Sequence, residues 1–531
     1  MLSGLTGKET RGEVSPRFLT VRELEWGTRD GCTGKNIHNG RVLARAGTGL
    51  NAEAIFVDSL LVIEKKIAAI GIRKEIEPAD LTGFQVHDLQ QRTVLPGFID
   101  GHMHLLLLGQ SLRKLDLSNC KTLNDIRSSI KSYAKANPSL PTILCKGWRY
   151  SMTPNGDPTV RTKFPVKGIP TLDDIDPRPI FVDASSLHSS WCNTAALKEL
   201  GVADMPDPAG GRIHRDEHGN PSGVLDEGAM MSIIWPYQAS SSPKEERIKA
   251  IVAAVKDYNA AGYTGVVEMA MDEEAWDAII TLRDTQPDIP IRVAAYWLIK
   301  PTTDQEANSR QVICDGIIDA CTAFLSEPYA PAGKPPPIWA PEYLEPVVKE
   351  ANDGCLQVAL HAIGDAAVRM AIDAIEKHTT AGRRHRIEHL ELASPEDAAR
   401  LDRCHRAFAY REFADSGVLM AIGSDSPTSP WAPMENLYVA AMRRSARDLT
   451  FTGTFNEHFR LGFYESVTAA TWGAASSVFD EERTGSLAAG KCADFIVVDM
   501  KWDEKSILQA QVEETWFGGR KVWDVRDSTS T

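Results

Sequence analysis

Short apolar runs recur along most of the chain and are separated by stretches with helical periodicity. Runs at 94–99, 264–269, 291–299, 312–314, 356–360, 386–390 and 418–423 read as strands, and 244–260 and 365–377 as amphipathic helices. Strands alternating with helices predict a parallel α/β barrel of the TIM type, with eight strands when complete. Both ends of the chain carry a different pattern, with short strand-like runs at 55–57, 59–62 and 67–70 and again at 494–499 and 515–523. These combine into one small β-sandwich domain. The interval 105–242 breaks the barrel rhythm with turns rich in Pro and Gly, such as Asp207-Pro-Ala-Gly-Gly, and reads as a cap inserted after the first strand. The expected organisation is a mobile N-terminal extension over 1–35, a composite sandwich from 36–92 and 484–525, and a barrel over 93–483 with its cap at about 105–242.

Composition narrows the classes of function. A hydrophobic content of 43% over 531 residues supports a large globular core, and a net charge of -14 argues against nucleic acid as a partner. The nine cysteines form no CxxC pair, which speaks against a zinc knuckle or a disulfide framework and for a reducing, cytoplasmic setting. No apolar run is long enough to span a bilayer, so no membrane partner is expected. A homodimer is the base-rate expectation for the assembly.

Chemistry enters at the strand ends. His102 and His104 alternate in an extended run, so both imidazoles face the same side and can reach one ion. His361, His389 and Asp425 each close a later strand. A single histidine at a strand end is ordinarily a satisfied polar residue. Five potential ligands at matching points of one barrel point instead to zinc or a similar divalent metal. His214 and His218 share helical spacing, but the following Gly-Asn-Pro makes their segment a hairpin loop with solvated histidines. The basic run 383–386 reads as an ordinary solvated or salt-bridged face.

The runs VLPGFIDGHMH, LHAIGD, RIEHLE, AIGSDSP and ADFIVVD together resemble the metal-dependent amidohydrolase superfamily. More narrowly they resemble amidohydrolase family 3, in the YtcJ-like branch that includes N-substituted formamide deformylases. The resemblance extends from about residue 36 to 523 and includes 187–197, which is similar to the family's cap. It implies a TIM barrel with a split β-sandwich and hydrolysis of a C–N bond in a small amide, formamide or cyclic amide. It further implies His102, His104, His361, His389 and Asp425 as metal ligands, with Asp425 also moving the proton as general base and acid. In the cap and at the barrel mouth, His188, Trp148, Tyr150 and Glu268 are the substrate-side candidates, each with packing or pairing as its alternative. Asp100 either supports a metal ligand or caps its loop.

Two departures qualify the resemblance. Gln311 stands where a lysine able to bridge two metals as a carbamate is expected, so a single ion is the better expectation. The stretch 392–417 is too short for a helix, a seventh strand and another helix, and 300–310 is similarly compressed. The barrel is therefore expected to be incomplete, lacking its seventh strand unit and part of the link between the third and fourth strands. A catalytically impaired relative is the alternative reading.

Overall fold

The computed structural model describes residues 34–44, 53–78, 82–149, 152, 172–208, 210–299, 311–318, 321–329, 333–380, 382–392, 410–415 and 417–528. Its centre is a six-stranded sheet made of β1 (Phe98–Met103), β2 (Tyr263–Met271), β3 (Arg292–Ile299), β4 (Gln311–Ile313), β5 (Ala359–Ala362) and β6 (Arg386–His389). The strands lie side by side in chain order, and every neighbouring pair is parallel. Strand β2 is nearly all apolar and buried along its length, as a parallel strand covered on both faces must be. Helices Lys244–Ala261, Pro341–Asp353 and Asp365–His378 supply outer apolar faces that pack on this sheet.

On the open side of β1 lies segment 418–426, where an eighth strand is expected. It is held there by three backbone hydrogen bonds: Gly101 N–H to Ile422 O at 3.0 Å, Asp425 N–H to His102 O at 2.7 Å, and His104 N–H to Ser426 O at 2.8 Å. Only the Met103–Ser426 pair forms a parallel bridge, so the run is extended without a regular ladder. Close approach explains part of this. A Cβ at Gly423 would lie 2.5 Å from the His102 backbone nitrogen, so a side chain at that position would separate the two segments. Between β6 and this segment the described residues include the helix Tyr410–Asp415 and no strand. The suspected shortening at 300–310 and the stretch 393–409 fall outside the described residues.

The expected first strand at 94–99 is divided between two sheets. Thr93–Pro96 pairs with Arg41–Ala44 and Phe495–Asp499, whereas Phe98–Met103 joins the central sheet. Pro96 has no N–H to continue a ladder, and the chain changes sheets there. The change from the small β layers to the central sheet falls near residue 97.

The small layers are a four-stranded sheet of Gly34–His38, Ser59–Ile63, Lys66–Gly71 and Phe84–Asp88, and a six-stranded sheet that includes Thr93–Pro96, Phe495–Asp499 and Gln511–Phe517. Ile37, Leu60, Val94, Phe495 and Trp516 share one buried cluster, so early and late parts of the chain interlock. A third sheet, running from Leu115–Asp116 to Pro221–Glu227, forms the body of the segment inserted after β1. The chain leaves the central sheet through helix Leu105–Ser111 and returns to it through helix Lys244–Ala261. These helices touch so closely that a Cβ at Gly109 would lie 2.1 Å from the Ala250 carbonyl oxygen. Among the described residues no helix is long and apolar enough to cross a membrane.

Candidate metal centre

The C-terminal end of β1 carries the centre. His102 is its penultimate residue and His104 lies just beyond it, ahead of helix Leu105–Ser111. Alternation puts both side chains on one side, and Asp425 meets them from the neighbouring segment. Asp425 Oδ1 lies 3.4 Å from His102 Nε2 and 3.3 Å from His104 Nε2. These three residues can offer ligand atoms all within 4.8 Å of one another.

Their outward atoms are fixed by other groups. His104 Nδ1 donates to the Met269 carbonyl at 2.7 Å, which turns Nε2 inward. His102 Nδ1 meets Glu388 Oε2 at 2.8 Å, and Thr428 donates to Asp425 Oδ2 at 2.7 Å. A carboxylate behind a histidine is a recurrent way to fix a metal ligand. Burial disfavours a charged imidazole at His102, yet hydrogen bonds and charge from Asp425 and Glu388 raise its pKa to about 10. Burial also opposes ionisation of Asp425, but His102 and His104 hold its carboxyl well below the usual range. The space between these residues therefore favours positive charge, which suits a divalent cation.

His361 and His389 lie beside this group without joining the tight cluster. The His389 ring is 5.1 Å from that of His102 and 4.4 Å from that of His361. Burial, with positive neighbours, lowers both of their pKa values to about 3, so each presents a neutral imidazole. The buried Nδ1 of His361 makes no hydrogen bond, and its nearest carboxylate, Asp315, is 3.5 Å away. Asp315 accepts backbone N–H bonds from Phe324, Ile363 and Gly364, while burial pushes its pKa up to about 6. His389 and Asp425 have φ values of 70° and 54°. Left-handed backbone at two non-glycine residues is strain of the kind concentrated at functional sites. The donor set thus fits a metal such as zinc, with neutral imidazoles and a carboxylate.

The remaining candidates separate clearly. His188 is in the site, its ring 5.7 Å from that of His361 and its Nδ1 2.7 Å from Glu227 Oε2. Glu268 is buried, accepts the Leu105 N–H, and lies 4.0 Å from His104 Nδ1, so it braces the turn after the histidine pair. Asp100 receives Ser424 N–H at 2.8 Å and Tyr258 O–H at 2.9 Å, tying 418–426 to β1. Trp148 is in the core of the inserted sheet, 1% exposed and 5.7 Å from Trp191, where it packs instead of lining the centre. Tyr150 lies outside the described residues. His214 sits on the Gly211–Arg215 strand bonded to Asp226, and His218 is exposed in the turn that follows.

Two contributors, Glu388 and Glu227, went unread in the sequence. Glu388 and Arg386 alternate within RIEH and share one face of β6. They pair at 2.6 Å with Glu388 buried, which agrees with the salt-bridged alternative for the basic run. Period-two spacing was the available signal. Glu227 had none, because its partner His188 is 39 residues away.

A model of the amidohydrolase family matches residues 85–523. The chain belongs to the amidohydrolase family. This amidohydrolase is 26% identical over 537 residues to the amidohydrolase-like protein YtcJ of Bacillus subtilis (strain 168), covering 92% of this chain and 99% of that protein. It is 23% identical to the N-substituted formamide deformylase of Arthrobacter pascens, covering 83% of this chain and 90% of that one. Its fold is similar to that of an uncharacterized metal-dependent hydrolase from Pyrococcus horikoshii OT3, with a TM-score of 0.68, 22% identity, and coverage of 88% of this chain and 98% of that one. In this amidohydrolase Gln311 begins β4 and pairs in register with Ala359 on β5.

Proposed function

We propose that this amidohydrolase hydrolyses a C–N bond outside a peptide chain, in a small amide, formamide or cyclic amide, with one divalent cation, zinc being the best match. The observation that carries this reading is the convergence of His102 Nε2, His104 Nε2 and Asp425 Oδ1 at the end of β1. His361 and His389 stand beside that point as further imidazole donors. A cation bound there supplies Lewis acidity and lowers the pKa of water toward neutrality.

The residues do the rest. Asp425 Oδ1 is placed to take the proton of the attacking water, and Thr428 keeps the other carboxylate oxygen in position. The same carboxyl then passes the proton to the leaving nitrogen. His102 and His104 cannot swing away, because Glu388 and the Met269 carbonyl hold their outer nitrogens. Glutamine at position 311 cannot form the carbamate that bridges two metals, which supports a single ion. The same Gln311, with an eighth segment that has only one bridge to β1, favours as a second reading a protein that keeps the fold without the activity.

Elemental analysis of the purified chain, of His102→Ala and of Asp425→Ala, combined with a hydrolysis assay on N-substituted formamides, tests the proposal. Near-stoichiometric zinc in the parent, lost in both variants, with amine release from at least one formamide, is the expected result. A folded parent that takes up no zinc on reconstitution would overturn it and leave the non-catalytic reading.

A further inference from the structure

A cavity of about 950 Å³ lies at the opposite end of the central sheet from the metal centre. It is bounded by the first residues of β2 and β3, by the loop after helix Glu273–Thr285, and by two turns of the small β layers, one around Lys65 and the other around Gly518. None of the metal-centre residues borders it. Ile289, Val293, Val478 and Phe517 give it an apolar wall.

The charge of the cavity is the reverse of the chain's. Six cationic side chains border it against two carboxylates, Asp288 and Asp480, in a chain with a net charge of -14. Half of these cations are answered locally. Arg292 pairs with Asp494 at 2.8 Å, and the same carboxylate accepts the Gly518 N–H at 2.7 Å. Arg483 lies 3.2 Å from Asp480, and Arg283 lies 2.8 Å from Asp284. The others, Lys65, Lys66 and Arg520, have no carboxylate partner among the described residues. Lys66 Nζ contacts the Cys492 sulfur at 3.7 Å, and Arg520 donates to the Asp288 carbonyl at 2.6 Å.

The backbone keeps these cations together. Ala493 N–H donates to the Lys65 carbonyl at 2.9 Å, and Gly519 N–H donates to the Ala493 carbonyl at 2.8 Å. A Cβ at Gly518 would lie 3.7 Å from the Lys65 side chain, so the two turns meet at one rim. Cations gathered around a concave space without counter-charges repel one another, and a bound anion relieves that repulsion.

We propose that this cavity binds a small organic phosphate monoester, with its phosphate against Lys65, Lys66 and Arg520 and its apolar part against Val293 and Val478. Such a phosphate carries a charge of about −1.5 to −2 at neutral pH, which answers a cluster of unpaired cations better than a monoanion does. An arginine fork and lysine ammonium groups suit phosphate oxygens. The apolar wall favours an ester over inorganic phosphate, because the organic part gains by leaving water. The site is separate from the metal centre, so it stands or falls apart from the hydrolase reading.

Isothermal titration calorimetry of the purified full chain with phenyl phosphate and with inorganic phosphate tests the assignment. Phenyl phosphate should bind the tighter of the two, and its affinity should fall at least about tenfold when ionic strength rises from about 0.05 to 0.3 M. Combining Lys65→Glu with Arg520→Glu, both exposed positions, should weaken phenyl phosphate by at least about tenfold. The milder Lys65→Gln should weaken it in the same direction, and Val293→Asp should narrow the gap between the two probes. Asp425→Ala should leave the affinity for phenyl phosphate unchanged. No binding of phenyl phosphate, or binding that survives in the folded Lys65→Glu, Arg520→Glu chain and is lost in Asp425→Ala, would overturn the proposal. Equal affinity for both probes would refute the organic ester. Binding to phosphatidylcholine vesicles containing phosphatidic acid, without binding of phenyl phosphate, would refute the small ligand in favour of a membrane surface.

Discussion

The two sides of β1 are built by different means. Toward β2 the contact is a parallel backbone ladder that continues strand by strand to β6, with buried apolar side chains on its outer face. Toward segment 418–426 there are three backbone hydrogen bonds and a single bridge, and side chains take over. Asp100 gathers Ser424 and Tyr258, while Arg386 reaches from β6 to the Gly101 carbonyl at 2.7 Å and pairs with Glu388, which holds His102. A ladder tolerates many sequences because it uses atoms common to all residues. A side-chain network does not, and Asp425 sits on the side that depends on one.

The largest effect should come from removing Arg386, which reaches Gly101 from β6 and pairs with Glu388. Arg386→Met would leave the buried Glu388 with His102 alone, and a loss of about 3–5 kcal/mol in chemical denaturation is expected. Val266→Ala, on the ladder side, should cost less, about 1–3 kcal/mol for a buried β-branched side chain. If the two losses come out equal, the contrast between the sides fails. Next, Asp100→Asn replaces one acceptor oxygen by a donor facing Ser424 and Tyr258. About 1–3 kcal/mol of stability should be lost, together with zinc stoichiometry, as read by calorimetry and elemental analysis. Gly423→Ala pushes a methyl group into the His102 backbone and should cost about 1–3 kcal/mol, with lower zinc affinity as the specific sign that β1 and Asp425 have separated.

The smallest effect lies in the small β layers, where it should be complete at neutral pH and fade in acid. Glu514 is buried, which opposes ionisation, yet His87, Trp516 and Lys521 lower its pKa from 4.5 to about 2. Its folded value lies below the unfolded one, so its contribution is complete above about pH 4.5 and is lost as pH falls toward 2. The Tm advantage of the parent over Glu514→Gln should accordingly shrink across that interval. An advantage that stays constant with pH would mean that Glu514 acts through packing alone.

Much of the centre was legible because it is written locally. His102 and His104 are two residues apart in an extended run, so their shared side follows from strand geometry, and each later candidate ends a recognisable apolar run. The order of the parallel strands in the central sheet was readable for the same reason. The inexact expectations depended on contacts between distant segments. The run 94–99 looked continuous, and only the pairing of Thr93–Pro96 with late strands shows that Pro96 ends one sheet. The run 418–423 has strand-like composition, but approach of Gly423 to His102 replaces a full ladder. Trp148 read as a packing residue more readily than as pocket lining, and its contact with Trp191 lies in the core of the inserted sheet. Glu227 carries no local sign of its role, since antiparallel pairing of Ser189–Cys192 with Pro221–Glu227 is what brings it to His188.

The close contact of Gly109 with the Ala250 carbonyl pins the exit and the return of the inserted segment side by side. Everything between those two helices can therefore diverge, lengthen or be exchanged without moving the histidine pair at the end of β1. The position of the histidine pair and the length of the inserted segment are thus set independently at that junction.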